Sequence, residues 1–283
     1  MKTTPCPVCG AAATRPYQVV KSYQFYECGA CGSLFVDPAV IAEMDAGRPI
    51  RSYDQAYWKT EAREARERSF GPALSRVAET LLYARLPVRR FLDIGTGPGF
   101  LLDALSTYLP ASRDLFWGIE QFPPEQHTSH GNYVTGALAD LPGTFQAGVC
   151  IEVIEHLTPA MLRNLIAALA SKSEPNSIYL FNTGLSSFVK NGHGDYLDPL
   201  GRGHIVSWGL VGLAGLFGEH GFRVTPLPGK SWAFLAEYQP TPSDIQFDQR
   251  IWYPVAANKA ILHDPVMGSH MYVVGIDTAR AYR

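Results

Sequence analysis

Between Phe91 and Phe100 the chain reads Phe-Leu-Asp-Ile-Gly-Thr-Gly-Pro-Gly-Phe, an apolar strand running into three alternate glycines and then a helix-forming Phe-Leu-Leu-Asp-Ala-Leu. Few folds use such a turn. Gly95 and Gly97 let the backbone approach a ligand where a Cβ would intrude, and Gly99 admits close packing of helix on strand. By itself the turn serves a dinucleotide or any other nucleotide-bearing ligand. Two acids narrow the reading. Asp93 stands two residues before the first glycine. Glu120 ends the apolar run that begins at Asp114, where a carboxylate can take both hydroxyls of a ribose.

From Val88 onward short apolar strands alternate with helical segments, which predicts a parallel sheet covered on both faces. Strands are expected at Arg89–Ile94, Asp114–Ile119, Asn132–Thr135, Ala147–Ile151 and Ser177–Asn182. A sixth strand region spans Phe222–Pro226 with Ser231–Glu237, and Met271–Asp277 is expected as the last strand. The absence of a long helix between these two predicts an antiparallel hairpin at the sheet edge, with 239–268 as a Pro-rich insertion over the active site. Ahead of the sheet, Thr60–Arg85 interleaves Glu with Arg and repeats apolar residues at helical spacing, divided by Gly71-Pro72. The charge run reads as a solvated helix face.

Four of the five cysteines form the pairs Cys6-Pro-Val-Cys9 and Cys28-Gly-Ala-Cys31, eighteen residues apart. That spacing fits a zinc ribbon. With four thiolates around it the ion has no open position for water, so its role is expected to be structural. The chain thus divides into a ribbon (1–40), a linker with N-terminal helices (41–87) and an α/β domain (88–283). No apolar run approaches a membrane span, and no signal peptide is evident. The expected compartment is the cytoplasm, where paired cysteines hold metal rather than disulfides.

The acid-x-Gly-x-Gly-x-Gly pattern of Asp93, Gly95, Gly97 and Gly99 resembles the first motif of the class I S-adenosylmethionine-dependent methyltransferases. Glu120 matches the family's ribose-binding acid. Ala139-Asp140-Leu141-Pro142 resembles the segment along the adenine, and Val149 to Leu157, ending Glu-His-Leu, resembles the fourth-strand motif. The resemblance covers about residues 88–280. It implies a Rossmann-like, seven-stranded, mostly parallel sheet with an antiparallel last strand. Asp93, Gly95, Thr96, Gly97, Gly99, Glu120, Asp140, Leu141 and Glu152 are then expected to bind S-adenosylmethionine. The ribbon, Leu34-Phe-Val-Asp-Pro38 and Tyr53-Asp-Gln-Ala-Tyr-Trp58 together are similar to zinc-ribbon methyltransferases of sugars and other small metabolites. Tyr57 or Trp58 is expected over the methionine end of the cofactor.

A methyl sulfonium is already electrophilic, so the protein must chiefly align the acceptor and, for a hydroxyl or acidic carbon, take a proton. His156 follows the fourth strand. The polar loop Thr183–Ser207 carries His193, Tyr196 and His204. His204, ahead of Ile-Val-Ser-Trp208, is the candidate general base, helped by Tyr196 or His193. The expected activity is methyl transfer to a small-molecule acceptor, a nucleotide-linked sugar or another hydroxylated metabolite. Two other readings remain: an RNA methyltransferase whose ribbon holds the nucleic acid, and a non-catalytic module binding zinc and cofactor. A net charge of −2, with only Arg15 and Lys21 between the cysteine pairs, argues against nucleic acid. A homodimer is compatible with the chain.

Overall fold

The computed structural model describes residues 4–279; the outermost residues of the ribbon and α/β spans lie outside them. Three strands open the chain, β1 (Thr14–Val20), β2 (Tyr23–Cys28) and β3 (Leu34–Val36), followed by helices α1 (Pro38–Asp45), α2 (Gln55–Ser69) and α3 (Pro72–Tyr83). Gly71-Pro72 does separate two helices: Gly71 is the N-cap of α3 and Pro72 occupies its first turn, where a proline costs no hydrogen bond.

The sheet expected from the alternation is present. Its strands are β4 (Phe91–Ile94), β5 (Phe116–Glu120), β6 (Tyr133–Thr135), β7 (Phe145–Ile151), β8 (Ser173–Asn182), β10 (Phe222–Pro226) and β11 (Ala233–Tyr238). Their order is β10-β11-β8-β7-β4-β5-β6. All pairings from β8 to β6 are parallel, whereas β11 runs antiparallel to both β8 and β10. The central strands β4 and β7 are almost wholly buried, as strands covered on both faces must be. Helices α4 (Phe100–Tyr108), α5 (Pro159–Ser171), α6 (Ser186–Lys190) and α7 (Leu210–Gly218) fall between strands.

One expectation fails at the C-terminal end. Residues 271–277 belong to a helix, α9 (Pro265–Ala279), and the antiparallel pair is formed earlier, by β10 and β11. The run Met-Tyr-Val-Val-Gly-Ile has strand-like composition, but Met267, Met271 and Val274 are spaced by four and three, the helical period. Met267 and Val274 are buried, Met267 in the core that contains α3 with Met271 packed against it, and His270 Nδ1 meets Ser75 Oγ at 2.9 Å. Segment 239–268 is consequently not an insertion between strands. It leads through α8 (Ala256–Leu262) along α3, with Phe247 stacked on Tyr83 at 4.6 Å and Asn258 Oδ1 accepting the Val88 N–H at 2.9 Å. None of its residues lines the cleft at the glycine turn.

The cysteine-bearing hairpin is joined to the main domain by a strand. A short β9 (Val206–Ser207) from the loop after β8 pairs antiparallel with β3, making a second sheet of order β1-β2-β3-β9. Phe25, Phe35 and Cys31 share one core cluster with Trp208, Leu213 and Phe217. Gly209 lies on this junction. A Cβ there would collide with the Cys31 carbonyl oxygen and lie 2.7 Å from Gly32 C and 2.8 Å from Ser33 N, all main chain. Gly209→Ala is therefore expected to cost about 3 kcal/mol, which lowers the melting temperature by roughly 6–12 °C. Thermal unfolding checks this; an unchanged midpoint would mean that the junction yields freely.

Candidate active site

The glycine turn is stitched to the sheet from both sides. Gly95 and Thr96 N–H groups donate to the Ile119 carbonyl at 3.0 and 3.1 Å. Gly95 has φ +69°, and a Cβ would come within 2.6 Å of Val153 Cγ2; glycine is required there on both counts. The ring of Trp58 lies over Gly97, 2.8 Å from where a Cβ would stand. Glu120, at the end of β5, accepts the Gly97 N–H at one carboxylate oxygen and the Phe122 N–H at the other, each at 2.8 Å. A carboxylate has about four acceptor positions, so two remain for a ligand. Behind the turn, Asp93 is buried and accepts the Thr96 hydroxyl at 2.6 Å. Desolvation raises its pKa to about 7.

The cleft in front of the turn is walled by α2. Tyr57, Trp58, Glu61, Ala65, Arg68 and Ser69 face Asp93, Gly95, Gly97 and Glu152 across it. Asp54 caps this helix by accepting the Tyr57 N–H, and Trp58 Nε1 donates to the Phe122 carbonyl at 3.1 Å. The helix is thereby fixed against the loop that follows Glu120. The interleaved charges are thus only partly a solvated face: Glu61 and Arg68 are half-buried and turned into the cleft.

Beyond the turn, the β7 end supplies Glu152 in the left-handed region at φ +55°, a conformation that costs a non-glycine residue about 1–2 kcal/mol. Asn182, ending β8, holds it there: the Glu152 N–H donates to the Asn182 carbonyl at 2.9 Å and Glu152 Oε1 accepts Asn182 Nδ2 at 2.7 Å. Glu152 keeps surface open to the cleft, yet its surroundings desolvate it enough to raise its pKa to about 8, with Glu155 adding repulsion.

Glu155, His156, Tyr196 and His204 gather beside it. His204 is buried; its Nδ1 donates to the Tyr196 carbonyl at 2.7 Å, and its Nε2 stands 3.9 Å from Glu155 Oε1. Burial lowers the His204 pKa to about 3, so the ring is neutral at physiological pH. His156 Nδ1 donates to the Gly203 carbonyl at 3.1 Å, and its ring lies 4.9 Å from that of His204 and 5.6 Å from that of Tyr53. The Tyr196 hydroxyl accepts the Gly184 N–H at 2.7 Å and meets Thr183 Oγ1 at 3.2 Å. His193 is elsewhere: exposed and stacked on Phe188 at 4.0 Å. Asp140 is exposed and accepts the Ala137 N–H of its own turn, while Leu141 beside it is buried. Sequence reasoning passed over Glu61, Arg68, Asn182 and Tyr53; only the aromatic run from Tyr53 to Trp58 gave a signal.

The four cysteines converge as their spacing predicts. Their sulfurs lie within 4.8 Å of one another, with Cys6–Cys31 at 3.8 Å and Cys9–Cys28 at 3.7 Å. A disulfide needs about 2.0 Å; a tetrahedron with metal–sulfur bonds of ~2.3 Å has edges of about 3.8 Å.

Residues 62–227 match the family model described as a methyltransferase domain. The match spans more than half of the chain, and the protein belongs to that methyltransferase family. No curated protein matches it. Among solved structures it is similar to the amino pentose methyltransferase CalS10 of Micromonospora echinaspora, at 17% identity and TM-score 0.45, over 66% of this chain and 98% of that one. It is also similar to DesVI of Streptomyces venezuelae, at 15% identity and TM-score 0.47 (66% and 100% covered). A third is an O-methyltransferase family protein from Burkholderia thailandensis, at 16% identity and TM-score 0.48 (71% and 68%). Likeness at this level concerns neither substrate nor mechanism.

Proposed function

We propose that the chain transfers a methyl group from S-adenosylmethionine to a small hydroxylated acceptor, such as a nucleotide-linked sugar, and that Cys6, Cys9, Cys28 and Cys31 hold a structural zinc ion. The observation that carries the reading is Glu120. Its carboxylate is fixed by two main-chain N–H groups beside the glycine turn, with two acceptor positions left for ribose hydroxyls. The cleft also suits a cation: Asp93, which is buried, and Glu152, which is half-buried, are desolvated acids held partly protonated near neutrality, and a positive ligand offsets that cost. S-adenosylmethionine, when bound, supplies a positively charged sulfonium and an electrophilic methyl group.

The protein's own work is then to exclude water and accept a proton. Trp58 and Tyr57 close one side of the cleft. Of the candidate bases, His204 is neutral and has a free Nε2, but a pKa of about 3 makes it a weak proton acceptor at neutral pH. Glu152, near 8 in the protein alone and ionised beside a bound cation, is better matched. We assign the proton to Glu152, with His204 and Tyr196 shaping the acceptor pocket behind it. The experiment is transfer of labelled methyl from S-adenosylmethionine into a metabolite extract, with the labelled product identified by mass. Label in RNA and in no small molecule would replace this reading by the nucleic-acid one.

A pH dependence follows. The pKa values of Asp93 and Glu152 are raised in the free protein, and a bound cation lowers them, so below pH 7–8 binding must expel protons. Donor affinity is expected to weaken as pH falls from 8 to 6, by up to about tenfold per pH unit for each carboxyl that must ionise. Titration at three pH values checks the sign; affinity that is flat or rises toward pH 6 would contradict it.

A further inference from the structure

Glu155 is fully buried, and neither of its carboxylate oxygens has a hydrogen-bond donor. Burial raises the Glu155 pKa; the nearby Glu152 carboxyl and the hydroxyls of Thr183 and Tyr196 oppose this, but none of them lies within hydrogen-bonding geometry of a Glu155 oxygen. The neighbouring imidazoles do not repair this. His204 and His156 each direct Nδ1 at a main-chain carbonyl, of Tyr196 and of Gly203. A nitrogen facing a carbonyl must carry the proton, so in the neutral His204 ring the Nε2 that faces Glu155 is a lone pair. One nitrogen from each histidine and one oxygen from Glu155 lie within 4.8 Å of one another. Ligand atoms therefore gather at a buried spot where neither Glu155 oxygen has a hydrogen-bond partner among the described residues. Unsatisfied buried acceptors of this kind call for a partner such as an ion or a water.

We infer that Glu155, His156 and His204 form a binding site for a first-row divalent metal ion, separate from the four cysteines. Three features support it. Two imidazoles and one carboxylate are a donor set that suits such ions and leaves further coordination positions open. Histidine ligands commonly hand their other ring N–H to a main-chain carbonyl, which fixes tautomer and orientation, and both histidines do so here. The cluster also adjoins the cleft: Glu155 is close enough to Glu152 to raise its pKa, and Tyr53 packs on His156. An ion there would face an oxygen-bearing acceptor. The metal site does not depend on the identity of the methyl donor.

The test is metal content in the full chain. Protein stripped of metal and reloaded with excess Co²⁺, then desalted, is expected to hold about two ions per chain: one with the intense sulfur-to-cobalt absorption of a thiolate site, one without it. Glu155→Gln and His156→Gln should each lower the content to about one while leaving the sulfur-to-cobalt band and the secondary structure intact. Partners outside the coordination shell alone are worth roughly 10–100-fold in affinity, so loss of a ligand should exceed that. About one ion per chain in the unsubstituted protein overturns the inference, as does a second ion that persists in both variants. A water or a shared proton would then fill the gap. His156 is only partly buried, which makes its variant the better tolerated of the two, and the unsubstituted stoichiometry decides even if both variants unfold.

Discussion

Replacing Cys9 by serine is expected to lower the melting temperature by about 8–16 °C and to abolish methyl transfer, although the cysteine site is built from a separate stretch of chain. Cys9 is the exposed member of the cluster, so serine itself is well tolerated by the packing and the loss reports on the proposed metal site. A structural zinc contributes roughly 10–16 kcal/mol to small metal-dependent folds. One third of that, about 4 kcal/mol, yields the stated shift at 2–4 °C per kcal/mol for a chain of this size. The effect reaches the cleft through β9. Ser207 and Val206 pair with Leu34 and Phe35 of β3, and His204 lies two residues upstream. Lys21 also pairs with Asp198 at 2.8 Å, and Lys190 with Glu27 at 2.6 Å; these partly exposed pairs add modest energy but fix the same loop. Thermal melts and turnover of the variant check the coupling. Full turnover in a variant whose ribbon has melted would show the module to be dispensable.

The second large effect is expected at Glu120. Glu120→Ala removes the acceptor for the Gly97 and Phe122 N–H groups and both ribose acceptor positions together. Hydrogen bonds to a charged group are worth about 1.5–3 kcal/mol each; two lost to the ligand correspond to at least about a 100-fold rise in Kd. Glu120→Gln keeps the shape but one acceptor oxygen, and should fall between. Equilibrium binding of S-adenosylmethionine to the three proteins measures this. Equal affinity in all three would remove Glu120 from the site.

How much of this was legible in the residues follows the physics of each signal. The glycine turn, Asp93 and Glu120 were legible because the backbone conformation and the sheet edge leave little choice of residue. The cysteine site was legible because ligand spacing is almost the whole of its chemistry. The strand-like run at 271–277 misled because β-branched composition outweighed the spacing of Met267, Met271 and Val274, which a helix on α3 satisfies. Helix α2 misled differently. Its inward stripe, Glu61, Ala65, Arg68 and Ser69, has helical period but faces a polar cleft rather than the core, so no apolar pattern marks it. Glu152 was named as a ligand contact, but its left-handed backbone and its clamp on Asn182 come from pairing across β7 and β8, which no local pattern records. The Glu155, His156 and His204 cluster brings together residues 48 and 49 positions apart through the fold of the loop after β8, and only Glu-His was adjacent in the chain.

What fills the cleft before the glycine turn decides the function. Isothermal titration at pH 7.5 with S-adenosylmethionine and, separately, NAD tests it most directly. The prediction is saturable one-to-one binding of S-adenosylmethionine, lost in Glu120→Ala, with no heat from NAD. Saturable binding of NAD with none of S-adenosylmethionine would contradict the account, because the same turn and the same acid would then serve a dinucleotide.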